Sequence, residues 1–317
     1  MTAARFAADL ARIWPEGAPR RGDPPVLGVA VSGGPDSLAL LLLATEARPG
    51  GVAAATVDHG LRAESAAEAA MVAEVCARLG VPHATLAVTV PEGNVQAEAR
   101  AARYAALAGW MGAAGVGALA TAHHADDQAE TLLMRLNRAS GVAGLAGVRP
   151  RGAVPGASDR LLLRPLLAWR RAELAAVVAD LDPAQDPSNS DPAYDRVRVR
   201  AALAEADWLD VGALAQSATH LADADAALDW AAAREWQEGV VREGLGLTYR
   251  PQAPRAVALR VLARIVRNLD GAPARGGALA DVFDALVAGR PASIGDLVAR
   301  PGVAGWSFMP GPRRRVG

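Results

Sequence analysis

Two clusters of side chains in this sequence have types and spacings suited to chemistry. The first is His123-His124-Ala125-Asp126-Asp127-Gln128-Ala129-Glu130-Thr131. Asp127 and Glu130 are three apart and Asp126 and Glu130 four apart, so on a helix these carboxylates share a face near its first turn. Clustered acids suit a cationic amine or a metal ion. The same acids would also arise as plain helix-start residues favoured by the dipole. His123, at the end of an apolar run, is placed to contact a phosphate. The second cluster is Ser32-Gly33-Gly34-Pro35-Asp36-Ser37, between an apolar run and a Leu-rich segment. Its glycines let backbone approach a ligand, its successive N–H groups and the following helix dipole favour an anion, and Ser32 and Ser37 add donors. It lacks the lysine of an ATP-binding P-loop.

The rest of the composition narrows the chemistry. All 33 basic residues are arginine, so no Schiff base or lysine nucleophile is available. Cys76 is the single cysteine, which excludes disulfide frameworks and zinc or iron–sulfur sites built by this chain alone; it reads as a small core residue. The N-terminal MTAARFAADLARIW is amphipathic without the apolar run of a secretory signal, and the apolar stretch at 38–44 is far too short to span a bilayer. The expectation is a cytoplasmic protein with no membrane segment. Net charge is −1, but residues 204–244 hold nine acids against two arginines and residues 245–317 hold eleven arginines against four aspartates.

The elements that must position the clusters are legible from periodicity. VLGVAV, VAAATVDH, ATLAVTV and GALATAHH read as strands. SLALLLLATEA, ESAAEAAMVAEVCARLG and NVQAEARAARYAALAGWMG read as helices between them. This alternation predicts an α/β fold with a parallel, Rossmann-like sheet, in which ligands lie beyond the strands' carboxyl ends. Both clusters fall there. Residues 147–159, rich in Gly and Pro, read as a loop, and LLLRPLLAW as a strand or turn. A long Ala-rich helix follows Leu203, then a basic module. The expected domains are 1–205, catalytic, and 206–317, a long helix plus a small, mainly helical, basic domain.

The string SGGPDS in its strand–loop–helix setting resembles the pyrophosphate loop of the PP-loop, N-type ATP pyrophosphatase superfamily. Those enzymes split ATP between its α and β phosphates and adenylate a carbonyl-type oxygen, which accounts for the missing lysine. Thiolases of the superfamily generally need paired cysteines, which this chain lacks. Val57-Asp58-His59-Gly60-Leu61-Arg62, the HHADDQAET run, Arg138-Ala139-Ser140-Gly141-Val142-Ala143-Gly144-Leu145, Asp186-Pro187-Ser188-Asn189 and the arginines at 196, 198 and 200 resemble, over residues 24–203, the tRNA(Ile)-lysidine synthases.

The resemblance implies a ligase that adenylates the C2 oxygen of wobble cytidine 34 in a tRNA(Ile) with a CAU anticodon, with ATP and Mg²⁺. The ε-amine of L-lysine then attacks C2 and expels AMP. By the same resemblance Asp36, His123 and Asp127 are catalytic, Asp36 also placing Mg²⁺. Ser32, Gly33, Gly34, Pro35, Asp36, Ser37, His59, Arg62 and Arg103 bind ATP. Asp127, Glu130 and Arg200 bind lysine. Arg196, together with Arg260, Arg264, Arg267 and Arg313, Arg314, Arg315 of the basic module, is expected to face tRNA, although an arginine stripe is also what a solvated helix face looks like. Relatives more often have His at Thr56, Asn at Val197 and Gly at Ala139. The alternatives are a PP-loop synthetase forming an amide on a small molecule, and an RNA-binding module with a vestigial nucleotide pocket. A homodimer is left open.

Overall fold

The computed structural model describes residues 2–18, 26–60, 65–89, 95–181, 183–184, 191, 193–270 and 276–311. The chain divides into two compact units, Met1–Ala222 and Asp223–Gly317.

The first unit is built on a six-stranded sheet. Its strands are β1 Val26–Ala30, β2 Val52–Asp58, β3 His83–Ala87, β4 Val116–Ala120, β5 Arg151–Val154 and β6 Ala157–Leu163, in the order β3-β2-β1-β4-β6-β5. All neighbouring pairs are parallel except β5 with β6. Strand β1 lies between β2 and β4, so the winding direction reverses there. Loops leaving β1 and β4 diverge to opposite faces at such a point and open a crevice for ligand. The SGGPDS loop leaves β1 and the HHADDQAET segment leaves β4, so topology alone brings the two clusters together.

Helices α1 Thr2–Ile13, α2 Pro35–Ala47, α3 Ser65–Leu79 and α7 Arg171–Val177 contribute to the core on one face of this sheet, and α4 Val95–Ala113 covers the other. In α1 the buried positions Phe6, Leu10 and Ile13 recur at helical spacing, so this amphipathic segment is a core element. Helix α2 is apolar nearly all round, with Leu38, Leu40, Leu41 and Leu43 buried. Each such leucine contributes roughly 1.5–3 kcal/mol. A helix anchored this firmly fixes the loop at its N-terminus. Cys76 is buried, and burial pushes its thiol up to about 11, an unreactive core cysteine.

The reading of residues 147–159 as a loop is corrected. Most of this stretch is an antiparallel β5–β6 hairpin at the sheet edge, turning at Pro155-Gly156 with Gly156 at φ 79°. Its outward residues are Arg, Gly, Ser and Asp, so it carries too little apolar alternation to read as strand. This unit also contains a short 3-10 turn, Pro15–Gly17, helices α5 Ala125–Leu136, α6 Val142–Leu145 and α8 Asp195–Glu205, and the start of α9, Val211–Gly239.

The second unit contains the end of α9, α10 Arg255–Asp270, α11 Gly276–Val287 and strands β7 Val240–Glu243, β8 Gly246–Tyr249, β9 Ala292–Ile294, β10 Leu297–Gly302 and β11 Gly305–Pro310. The strands form an antiparallel sheet ordered β7-β8-β11-β10-β9, which the helical expectation did not include. Val257, Val261, Leu262, Ile265 and Val266 of α10 pack with Tyr249, Trp306 and Phe308 in its core. Buried Glu235 accepts from the Tyr249 hydroxyl at 3.0 Å and the Gln252 and Ala253 N–H groups at 2.7 and 3.1 Å. Among the described residues no helix is long and apolar enough to cross a membrane.

Candidate active site

The phosphate-type loop is closed by its own serines. The Ser32 N–H donates to Ser37 Oγ at 3.1 Å, Ser37 Oγ donates to the Gly34 carbonyl at 2.9 Å, and the two hydroxyls lie 3.3 Å apart. Gly33 has φ +89°, the left-handed region that glycine enters without strain. Gly34, at φ −74°, has no such need, and a Cβ there would meet only Ser32 Oγ at 3.7 Å. Its missing side chain therefore serves approach to the backbone. Pro35 opens α2 and Asp36 lies in its first turn, at the positive end of the dipole. Asp36 Oδ2 is 3.4 Å from His124 Nε2, while Oδ1 is buried with no hydrogen-bond partner. An orphaned carboxylate oxygen at a phosphate loop suits a divalent cation.

His124, which the sequence reading passed over for its neighbour, joins the two clusters. Its side chain is 1% exposed and lies among three carboxylates. Nε2 is 3.4 Å from Asp36 and 3.6 Å from Asp127, and Nδ1 is 3.6 Å from Asp126. These are charge contacts, longer than good hydrogen bonds. Burial alone would lower its pKa, but the facing acids Asp126, Asp36 and Asp127 overcome burial and push it up to about 9. The ring is a buried cation at neutral pH, and that charge lets acids from the starts of α2 and α5 converge. The Asp127 carboxylate also accepts the His124 N–H at 3.0 Å, capping α5.

The acids of α5 each have a different partner set. Asp126 accepts the Arg171 N–H at 2.8 Å and meets the Arg170 guanidinium at 3.3 Å. Although burial opposes it, His124, the Arg171 N–H and Arg170 hold its carboxyl well below the usual range. Glu130, 1% exposed, receives Arg196 Nε at 2.6 Å, Arg200 Nε at 2.8 Å and Arg171 Nη2 at 3.4 Å. Arg196 also reaches Asp127 at 2.8 Å. A lysine ammonium reaching Glu130 would displace one of these guanidinium groups, whereas Asp127 keeps 16% side-chain exposure. Arg196 and Arg200 of α8 thus stand with the acid cluster. Arg171 was missed, yet a signal existed: Arg170 and Arg171 open helix α7, where cations oppose the dipole unless acids hold them.

His123 faces different company. Its Nδ1 is 3.1 Å from Thr121 Oγ1. Burial, opposed by Asp127 and reinforced by Arg164, Arg196 and Arg100, lowers its pKa to about 4, so it is neutral at pH 7. His59 Nε2 lies 3.3–3.4 Å from the Arg103 guanidinium, and burial followed by Arg103 lowers its pKa as well. Asp58 accepts from the Gly60 N–H at 2.9 Å and the Ser65 hydroxyl at 2.7 Å. Thr56 Oγ1 meets His83 Nε2 at 2.9 Å.

The second unit uses part of its charge internally. Arg260 pairs with Asp225 and Asp229 of α9. Arg264 lies over the Trp236 ring at 4.3 Å, and it and Arg267 are exposed. The acidic and basic tracts of the sequence therefore neutralise each other in part. Arg62, Asp186, Pro187, Ser188, Asn189, Arg313, Arg314 and Arg315 lie outside the described residues.

A PP-loop domain family matches residues 7–206. The tRNA(Ile)-lysidine synthase of Novosphingobium aromaticivorans is 49% identical over 317 residues, covering 99% of this chain and 95% of its own. That of Zymomonas mobilis is 41% identical over 297 residues, covering 91% and 89%. Among solved structures, the U34-tRNA thiolase NcsA from Methanococcus maripaludis aligns with TM-score 0.54 and 16% identity over 69% of this chain and 76% of its own, a likeness of fold alone. With a lysine-free phosphate loop and a carboxylate cluster meeting at one switch point, and with relatives of this similarity along nearly its whole length, the chain belongs to the tRNA(Ile)-lysidine synthase family.

Proposed function

We propose that this protein is an ATP-dependent ligase that converts cytidine 34 of a tRNA(Ile) with a CAU anticodon to lysidine. The observation that carries the reading is the meeting, through His124, of the loop after β1 with the acids after β4. In the first step the C2 oxygen of the cytidine attacks the α-phosphorus of ATP, and the bond to the β-phosphate breaks. Backbone N–H groups of Gly33, Gly34 and Asp36 at the helix start hold the departing pyrophosphate. Asp36, whose Oδ1 is buried without a partner, would hold Mg²⁺, which would supply charge neutralisation for the leaving group. His123, neutral and able to donate or accept a hydrogen bond, lies near the transferred phosphate. His59 and Arg103 line the nucleotide.

In the second step the ε-amine of lysine attacks C2 and AMP leaves with the oxygen. A ring-carbonyl oxygen is a poor leaving group, and adenylation makes it a good one. Asp127 and Glu130 attract the cationic amino acid, and Arg200 meets its carboxylate after exchange from Glu130. The exposed Arg264 and Arg267 contact the RNA backbone.

The test is nucleotide product analysis. AMP and pyrophosphate should form only when tRNA is present. Pyrophosphate release on a small molecule without RNA would instead favour an amide-forming synthetase, and ADP as product would end the reading.

A further inference from the structure

The two histidines after β4 have different charged neighbours. His124 stands among Asp36, Asp126 and Asp127, whereas His123 feels Asp127 first and then the cations Arg164, Arg196 and Arg100. Arg164, directly after β6, has no role in the reaction described above. It is 9% exposed. Its Nη1 donates to the Arg149 carbonyl at 2.7 Å, and its Nε is buried without a hydrogen-bond partner. Its side chain also meets the Tyr104 hydroxyl, a second cation, Arg100, acts on it, and among the described residues no carboxylate pairs with it. Arg100, on α4, is exposed and lies over the Tyr104 ring at 5.0 Å.

A buried guanidinium with an idle Nε–H, a like charge acting on it and no counter-ion among the described residues is costly unless an anion completes the set. The anion is not the pyrophosphate held by the Ser32–Ser37 loop. That loop runs into α2, whose side chains pack in the core on one face of the sheet, whereas Tyr104 belongs to the α4 core on the other face.

We propose that Arg164 and Arg100 form a second phosphate site that holds a phosphate ester of the substrates. Resting on the function proposed above, the ester is either the RNA phosphodiester beside the reacting cytidine or the nucleotide's α-phosphate.

Equilibrium binding separates the sources. Kd is measured for an anticodon stem-loop RNA at two salt concentrations and for ATP, with wild type, Arg164→Gln, Arg164→Lys and Arg100→Gln. Losing a charged hydrogen-bond donor should weaken the bound partner about tenfold. If RNA is the source, RNA affinity falls, its salt slope drops by about one, and ATP affinity holds. If the nucleotide is the source, ATP affinity falls and RNA affinity holds. Arg164→Lys recovers most of the loss, which a pure packing role would not. Should Arg164→Gln fail to fold, Arg100→Gln, at an exposed position, reads the same site. Unchanged affinity for both ligands in the glutamine variants overturns the proposal. If those variants lose affinity but wild type forms no lysidine, the site stands and the assigned function fails.

Discussion

Replacing His124 by glutamine removes the cation that three carboxylates share. The ring's pKa is raised from 6.5 to about 9. Holding the proton from the free value up to about 9 makes the charged ring worth about 3 kcal/mol to the fold. Arg170 and Arg196 also serve Asp126 and Asp127, so this is an upper figure for the loss on mutation. Because the folded pKa lies above the unfolded one, the stabilisation is complete below pH 6.5 and vanishes as pH rises through about 9. Urea unfolding of wild type and His124→Gln across pH 6 to 10 should therefore show their stability gap narrowing by about 3 kcal/mol. The imidazole proton signal should titrate near 9, with His123, lowered to about 4, as an internal contrast. A His124 that titrates at or below 6.5, or a gap that does not change with pH, would refute the account of a buried imidazolium joining loop and acids.

Other perturbations probe separate parts of the same site. Glu130→Gln removes a shared partner of Arg171, Arg196 and Arg200, which are partly open to water, and should cost about 1.5–3 kcal/mol in thermal unfolding; a fully stable variant with only a raised KM for lysine would contradict that structural role. Asp36→Ala should abolish AMP formation while RNA affinity stays within about twofold, since an isolated acid contributes little to backbone contacts; normal turnover would remove Asp36 from the mechanism. Ala139, at φ 50°, is the non-glycine residue with positive φ among those described. Ala139→Gly should gain roughly 0.5–1 kcal/mol, read as a higher urea midpoint. An unchanged or lower midpoint would show the turn is not strained.

The parallel strands and the two clusters were legible because buried strands read as apolar runs and loop chemistry as Gly, Ser and Asp. Ala139, before a Ser-Gly pair, was likewise visible, and its positive φ is a conformation that glycine enters without strain. What escaped was long-range or short. Strands such as β9, of three residues, and β7, of four, are too brief for a period to show. The choice between His123 and His124 depends on which side each ring faces, since neighbours on extended chain point opposite ways. Sequence gives the pair but not the sides. The pairing of Glu130 with α7 and α8 arginines is equally invisible, because it joins residues 41 to 70 positions apart.

The most direct test of the central claim combines enzyme, ATP, Mg²⁺, labelled lysine and tRNA transcripts that differ only at position 34. The account predicts label in the transcript carrying cytidine 34, with one AMP formed for each lysine joined. Label in no transcript, or equally in one lacking that cytidine, would contradict it.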